Sequence, residues 1–407
     1  VRIVLHRPWP CWVCGVFAGQ CAKMEKQILI VGGGIGGMAA ALGCLRSGWP
    51  VQLLERTREF REVGAGIQLG PNVVRILHDW GMEADLNRIA AYPELLRVCN
   101  ATNCAELGVL RLGERARSRY GAPYATVHRA DLHRLLHDAV LRNSDARIHM
   151  GQWLGTYVDT GLGVQISSLD GTNLQGSALI GADGIWSTVR QLMLKDEEPR
   201  VTGHLAFRGL VSQHDLPAYL RSRQVTVWLG EKLHVVQYPV RKGHWLNVVA
   251  IVEGAIEGDV QDWNHDAVGA ELQRAMGSTC NRLQDLISAV PDWKRWVLCD
   301  RPPMTDATQQ AQGRVALVGD AAHPMRPYMA QGAGMALEDA AYLESVLKLP
   351  GDLPMGQRLL RYAKTRWRRN AQVQARSQRN GEIFHATGAK RWGRDMAMAL
   401  LGERVLD

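Results

Sequence analysis

Nowhere in this chain is there an uncharged apolar stretch of the roughly 18 residues that a membrane-spanning helix needs. Yet hydrophobic residues make up 46% of the sequence and charged residues 22%. That balance is ordinary for a folded globular protein and argues against a fibre, a disordered tail or a disulfide-stapled mini-protein. Cys11 and Cys14 form a C-x-x-C with no second pair to complete a four-cysteine zinc site. Cys44, Cys99, Cys104, Cys280 and Cys299 are scattered, so all five are expected as small core thiols in a reducing compartment. Acids are missing from two segments, residues 1–23 and 353–380. These carry much of the net +8, and the remainder holds 37 basic against 40 acidic residues. The positive excess is therefore an end effect and weak grounds for nucleic acid. At 407 residues the chain has room for about two or three structural units.

What is present begins after Met24. Gln27–Val31 reads as a short buried strand, and Gly32-Gly33-Gly34-Ile35-Gly36-Gly37 places a G-x-G-x-x-G on Gly32, Gly34 and Gly37. A helical run over Met38–Leu45 follows, then a second strand over Val51–Leu54 that ends at Glu55. Gly32 permits the tight turn, Gly34 lets backbone approach a pyrophosphate, and Gly37 lets the helix pack on the strand. The helix start offers free N–H groups to phosphate, and Glu55 is placed for ribose hydroxyls. No second copy exists, which fits one permanently bound dinucleotide and a visiting nicotinamide. No C-x-x-x-x-C follows the fingerprint, which counts against a disulfide reductase.

Two more blocks lie downstream. Ala178–Gly181 runs into Ala182-Asp183-Gly184, with Ser187 as the cap of the next helix. Arg314–Val318 runs into Gly319-Asp320-Ala321-Ala322-His323-Pro324, and Gln331-Gly332-Ala333-Gly334 leads into a helix reaching Leu347. Its N-terminus offers free N–H groups and the positive end of the helix dipole to an anion. With these blocks in this order, from about Lys26 to Ile383, the chain resembles the single-component FAD-dependent aromatic hydroxylases of the para-hydroxybenzoate hydroxylase fold. The resemblance implies an α/β architecture: a Rossmann-like FAD-binding domain, an inserted antiparallel β-sheet substrate domain and a C-terminal helical segment. The expected divisions are a start-site extension or unordered leader over 1–23, with a secretory signal as runner-up, FAD-binding parts over 24–200 and 301–350, the sheet over 201–300, and helices over 351–407. The resemblance further implies that Asp320 meets the FAD ribityl chain, Asp183 lies by the pyrophosphate and serves NAD(P)H, and Arg129 meets the FAD. Gly36, Arg56, Gln68, Gly184, Pro324, Gly332, Ala333 and Gly334 complete the expected cofactor contacts.

On the substrate side, Val225–Trp228, His234–Pro239 and Val248–Val252 read as strands, and Asp266–Met276 as a helix. The segment Leu233–Gly243 resembles the 3-hydroxybenzoate 6-hydroxylase branch, where the matching histidine and tyrosine face substrate. That makes His234 the expected base and Tyr238 its partner, since alternate strand residues share a face. His323-Pro324-Met325-Arg326-Pro327-Tyr328 resembles the salicylate hydroxylase and 6-hydroxynicotinate 3-monooxygenase branches instead, with Tyr328 on the other wall. Gly64–Asn72 is shared by all three branches. The implied activity is hydroxylation of a small hydroxylated aromatic acid with NADH or NADPH and O2, through a flavin C4a-hydroperoxide. A flavin-dependent epoxidase or hydroxylase of a non-aromatic substrate and a non-catalytic FAD redox sensor are the alternatives. A cytoplasmic monomer or homodimer, with no metal, nucleic acid or membrane partner, is expected. His133 and His137 could share a helix face, but no third metal ligand is evident. Tyr362, Trp367 and Val373 mark the basic segment as a solvated helix packed on the core.

Overall fold

The computed structural model describes residues 26–60, 65–254, 260 and 265–403. The 1–23 extension, its C-x-x-C and Gly64 lie outside the described residues. Ile28–Val31 is fully buried at the middle of a six-stranded sheet, parallel to Val51–Glu55 on one side and Ala178–Gly181 on the other. Val315–Leu317 adds in parallel beyond Ala178–Gly181, so all three sequence blocks end at one edge of one sheet. A strand covered on both faces reads as a continuous apolar run, which is why these segments were legible.

The first helix runs over Ile35–Arg46 and packs against Gly332–Leu347 and Arg129–Leu141. Small residues set its depth. A Cβ on Gly43 would lie 2.8 Å from the Ala340 carbonyl oxygen, and one on Gly37 would lie 1.8 Å from the Gly32 carbonyl oxygen. Gly32 itself turns at φ +102°, a conformation that L side chains rarely adopt.

The second sheet has eight strands, and it is not confined to residues 201–300. Leu95–Asn100 and Glu106–Arg111 form its far edge, with Leu95–Asn100 pairing in parallel with Val225–Gly230. Long-range pairing of this kind leaves no local mark in the sequence, so the expected boundary at 200 cuts through a sheet that begins at residue 95. The expected helix over Asp266–Met276 is also shorter. His265–Ala267 joins the sheet as an edge strand with Asp266 opposite Lys294, and the helix is Gly269–Met276.

Cys104 and Cys280 form a disulfide, Cα atoms 5.9 Å apart, which corrects the expectation of five free thiols. It ties the turn after Leu95–Asn100 to the start of the Asn281–Ala289 helix, residues that are 176 apart in sequence and adjacent only in the fold. Cys44, Cys99 and Cys299 remain free, their thiol pKa values raised by burial, to about 11 at Cys299.

The basic segment becomes one helix, Met355–Phe384. Its charges are not all solvated. Arg358 is buried and donates to the carbonyls of Val346, Leu347, Leu349, Gly351 and Leu353, which receives the C-terminal end of the Gly332–Leu347 helix. Arg366 is buried against Asp339. Asp339 is fully buried and accepts four hydrogen bonds, from Gly319 N, His323 Nε2, Arg366 Nε and Asn370 Nδ2, at 2.6–3.1 Å. Burial alone would raise its pKa, but His323 and Arg366 hold it down at about 2. No helix among the described residues is long and apolar enough to cross a membrane.

Asp339→Asn is expected to cost about 3 kcal/mol, because it removes the buried carboxylate that faces Arg366 Nε and leaves that guanidinium paired with Glu338 alone; chemical denaturation measures this. A depressed carboxyl pKa stabilises the fold above its unfolded value, about 3.9, and that stability is lost as pH falls towards the folded value. The variant should therefore lack part of the wild-type loss between about pH 4 and pH 2. Peptide mapping without reductant should recover Cys104 and Cys280 in one linked species, and Cys280→Ser should cost about 2–4 kcal/mol.

Candidate active site

One cleft of about 1230 Å³ opens at the carboxyl ends of the central parallel strands. Gly32, Gly33, Gly34, Glu55, Arg56, Arg129, Asp183, Gly184 and Asp320 all line it. Such a crevice outside the strand ends is where ligands bind in open α/β sheets. The fit to a dinucleotide can be tested on the glycines. A Cβ on Gly34 would meet no protein atom within 4 Å, so this position faces open space, whereas Gly32 and Gly37 are closed in by backbone. The loop thus presents bare backbone at the one position where a pyrophosphate must come close, at the start of the Ile35–Arg46 helix.

Glu55 holds the loop in shape. Its Oε2 accepts from Gly33 N at 2.6 Å and its Oε1 from Thr57 N at 2.8 Å. His133 Nε2 bonds the Gly33 carbonyl at 2.7 Å. His133 and His137 stack at 6.3 Å between centroids and line the cleft, and of the two it is His133 that supports the loop. Asp183 accepts from Val189 N, and from Ser187 Oγ, while Ser187 caps the next helix as expected by accepting from Arg190 N. Burial raises the Asp183 pKa against these bonds. Arg190 then donates to the Ala321 and Ala322 carbonyls, which joins the Asp-Gly block to the Gly-Asp block.

Asp320 projects into the cleft, where desolvation raises its pKa and His323 and Arg129 oppose the shift. Arg129 is likewise lowered by desolvation and supported by Asp320. Gly332, Ala333 and Gly334 form the first turn of the Gly332–Leu347 helix, and a Cβ on Gly332 would lie 3.9 Å from Asp320 Oδ1. Pro324 is buried, with its carbonyl accepting from Gln374 Nε2 at 2.8 Å. Gln68 accepts from the Tyr124 hydroxyl and hydrogen-bonds Tyr238.

The second sheet contributes Arg208 to the same cleft. On its cleft-facing side Arg208 lies opposite Val249, which lies opposite Val236, and both valines are only half-buried. Arg208 sits over the Trp296 ring at 5.0 Å. Burial and then Arg129 lower its pKa to about 10, which leaves it a cation at neutral pH. Sequence reading missed Arg208. The inward alternation Ala206, Arg208, Leu210 carried the signal, but only the register shows which face is inward.

His234 and Tyr238 share a face, four residues and roughly 13 Å apart, but they do not meet. His234 is 2% exposed, and its Nδ1 bonds His385 Nε2 at 2.8 Å. Tyr238 instead bonds Gln68. The expected partnership is therefore replaced by one with His385, because the end of the Met355–Phe384 helix folds over the His234 end of the strand. Tyr328 is buried, its ring 5.1 Å from His234 and its hydroxyl bonded to His204 Nδ1. None of the three lines the main cleft; they occupy the sheet face beside Val236. Burial, followed by His385 and His204, holds the His234 pKa well below its ordinary value.

The model of a family described as FAD binding domain matches residues 25–377. The chain is 37% identical over 367 residues to 3-hydroxybenzoate 6-hydroxylase 1 of Aquipseudomonas alcaligenes, covering 90% of this chain and 91% of that protein. It is 33% identical over 361 residues to 6-hydroxynicotinate 3-monooxygenase of Bordetella bronchiseptica, covering 88% and 91%. Among solved structures, a salicylate hydroxylase substrate complex superposes with a TM-score of 0.79 at 26% identity, covering 95% of each chain.

Proposed function

This chain belongs to the FAD-binding-domain family that contains these aromatic-acid hydroxylases, and from that premise we propose that it is an FAD-dependent monooxygenase of a small hydroxylated aromatic acid. The observation that carries the proposal is this cleft. It brings the dinucleotide loop, Glu55, Arg129 and Asp320 to one wall and a buried cation from the second sheet, Arg208, to the other.

FAD, reduced by NADH or NADPH, would supply O2 activation and delivery of one oxygen atom. The chain's own residues bind, orient and enclose. In this reading the bare backbone at Gly34 and the helix start receive the pyrophosphate, and Glu55 receives ribose hydroxyls. Arg129 and Asp320 flank the isoalloxazine end, with the Gly332 helix start offering positive dipole to that end. Arg208 suits the substrate's carboxylate, since a desolvated guanidinium binds a carboxylate strongly and with fixed geometry. The half-buried Val236 and Val249 supply an apolar wall that excludes water. His234 is neutral at working pH and so carries the lone pair needed to take a phenolic proton, which raises electron density on the ring. A supply of reduced nicotinamide is required, which is the reason for a cytoplasmic setting in this reading.

A panel of hydroxybenzoates and hydroxynicotinates should contain at least one compound that stimulates NAD(P)H oxidation and gains one oxygen by mass spectrometry. A purified protein with no flavin spectrum and no affinity for FAD would overturn the proposal. Glu55→Ala should weaken FAD binding by roughly 10- to 100-fold, the worth of a charged hydrogen bond, in a fluorescence titration of the deflavinated protein.

A further inference from the structure

A buried histidine that resists carrying a proton is a poor final acceptor for one. His234 sits in that position if it is the base, and the groups around it offer a way out. Its Nδ1 is 2.8 Å from His385 Nε2. His385, 5% exposed, directs its other nitrogen, Nδ1, at Glu253 Oε1, 3.7 Å away. That Nδ1 is inaccessible to solvent and has no hydrogen-bond partner. Glu253 is 36% exposed on its side chain and reaches the surface, where Lys232 Nζ lies 3.7 Å from its other oxygen. A small turn of this half-exposed carboxylate closes the gap.

From this geometry we infer that His234, His385 and Glu253 form a proton relay from the substrate hydroxyl to solvent. The inference rests on the proposed hydroxylase reading. Only one pair of tautomers makes the chain conduct. His234 is protonated at Nδ1 and donates to His385 Nε2, and His385 is protonated at Nδ1 and faces Glu253. His234 Nε2, on the opposite edge of the ring, is then the free lone pair. When it takes the substrate proton, the Nδ1 proton of His234 passes to His385 Nε2, and the Nδ1 proton of His385 passes to Glu253 and out. No imidazolium is left behind on either ring. The return of the proton to the product phenolate runs the same transfers backwards and resets both tautomers.

The surroundings favour transfer over storage. His204 stacks on His385 at 4.8 Å, and Arg326 and Arg394 also face it, so a lasting charge on His385 is repelled from several sides. Asp300 and Glu253 also act on His204, and Arg326 is paired with Asp300 at 2.7 Å. His204, Glu253 and His385 also offer ligand atoms within 4.8 Å of one another, which would suggest a metal. The His204 and His385 rings are within 9° of parallel and stacked, however. Their in-plane lone pairs do not converge on one point, so the cluster suits a relay better than an ion.

His385→Gln keeps an oxygen to accept from His234 but cannot pass a proton on. In the holoenzyme, with the panel compound that gives the fastest wild-type turnover, it should lower kcat by roughly 100-fold or more with KM and FAD affinity unchanged, and added imidazole should restore part of the rate. Glu253→Gln should lower kcat in dilute buffer and recover as buffer concentration rises. Wild-type kcat in both variants would overturn the relay. Nitrogen-15 NMR of the resting holoenzyme, with histidine signals assigned through the His234→Gln and His385→Gln variants, tests it without any substrate. The relay requires Nδ1–H on both rings, and an Nε2–H tautomer at His385 would overturn it. Absence of turnover with every panel compound would instead count against the hydroxylase reading, while the NMR result would still decide the relay.

Discussion

The buried carboxylate of Asp339 is the point on which the arrangement of this molecule turns. It lies on the Gly332–Leu347 helix and accepts from the Gly319 backbone, from His323 and from Arg366 and Asn370 of the long C-terminal helix. One side chain thereby sets the loop that carries Asp320, the strand end before it and the helix that covers the sheet. An ionised group with no exposure is tolerated only when its lone pairs are filled and a countercharge is present, and both conditions hold here. Without the carboxylate, Gly319, His323, Arg366 and Asn370 lose the acceptor they share.

That helix matters beyond its own packing. It spans 30 residues and ends at Phe384 and His385, directly over the His234 end of the second sheet. The cleft wall near the dinucleotide loop and the environment of His234 are thus linked through one rigid element anchored at Asp339. Arg358 at its beginning and Arg366 at its middle are interior groups rather than solvated ones. A run of like charge therefore reads differently once Arg358 has carbonyls and Arg366 and Arg369 have carboxylates facing them.

Much of the dinucleotide half was legible because its determinants are local. A buried parallel strand is a continuous apolar run, a tight turn needs glycine, and an acid follows the second strand at a regular interval. Gly32, Gly34, Glu55, Asp183 and Asp320 all fall at the cleft for that reason. The second sheet was legible as strands but not as a sheet. Its edge at 95–111 and the Cys104–Cys280 pairing depend on partners more than a hundred residues away, and the inward face of Arg208 depends on strands 41 and 86 residues away. Periodicity records which residues alternate, never what they alternate against.

The amino-acid order by itself determined the strand, glycine loop, helix and acid of the nucleotide-binding core, since short-range steric and electrostatic rules confine those residues within a few turns of one another, while the flavin rested on resemblance to a family. The partner of His234 was decided only by tertiary structure. Tyr238 stands four residues away on the same strand, yet strand geometry keeps the two roughly 13 Å apart. His385, 151 residues away in sequence, is brought to 2.8 Å by the packing of the C-terminal helix.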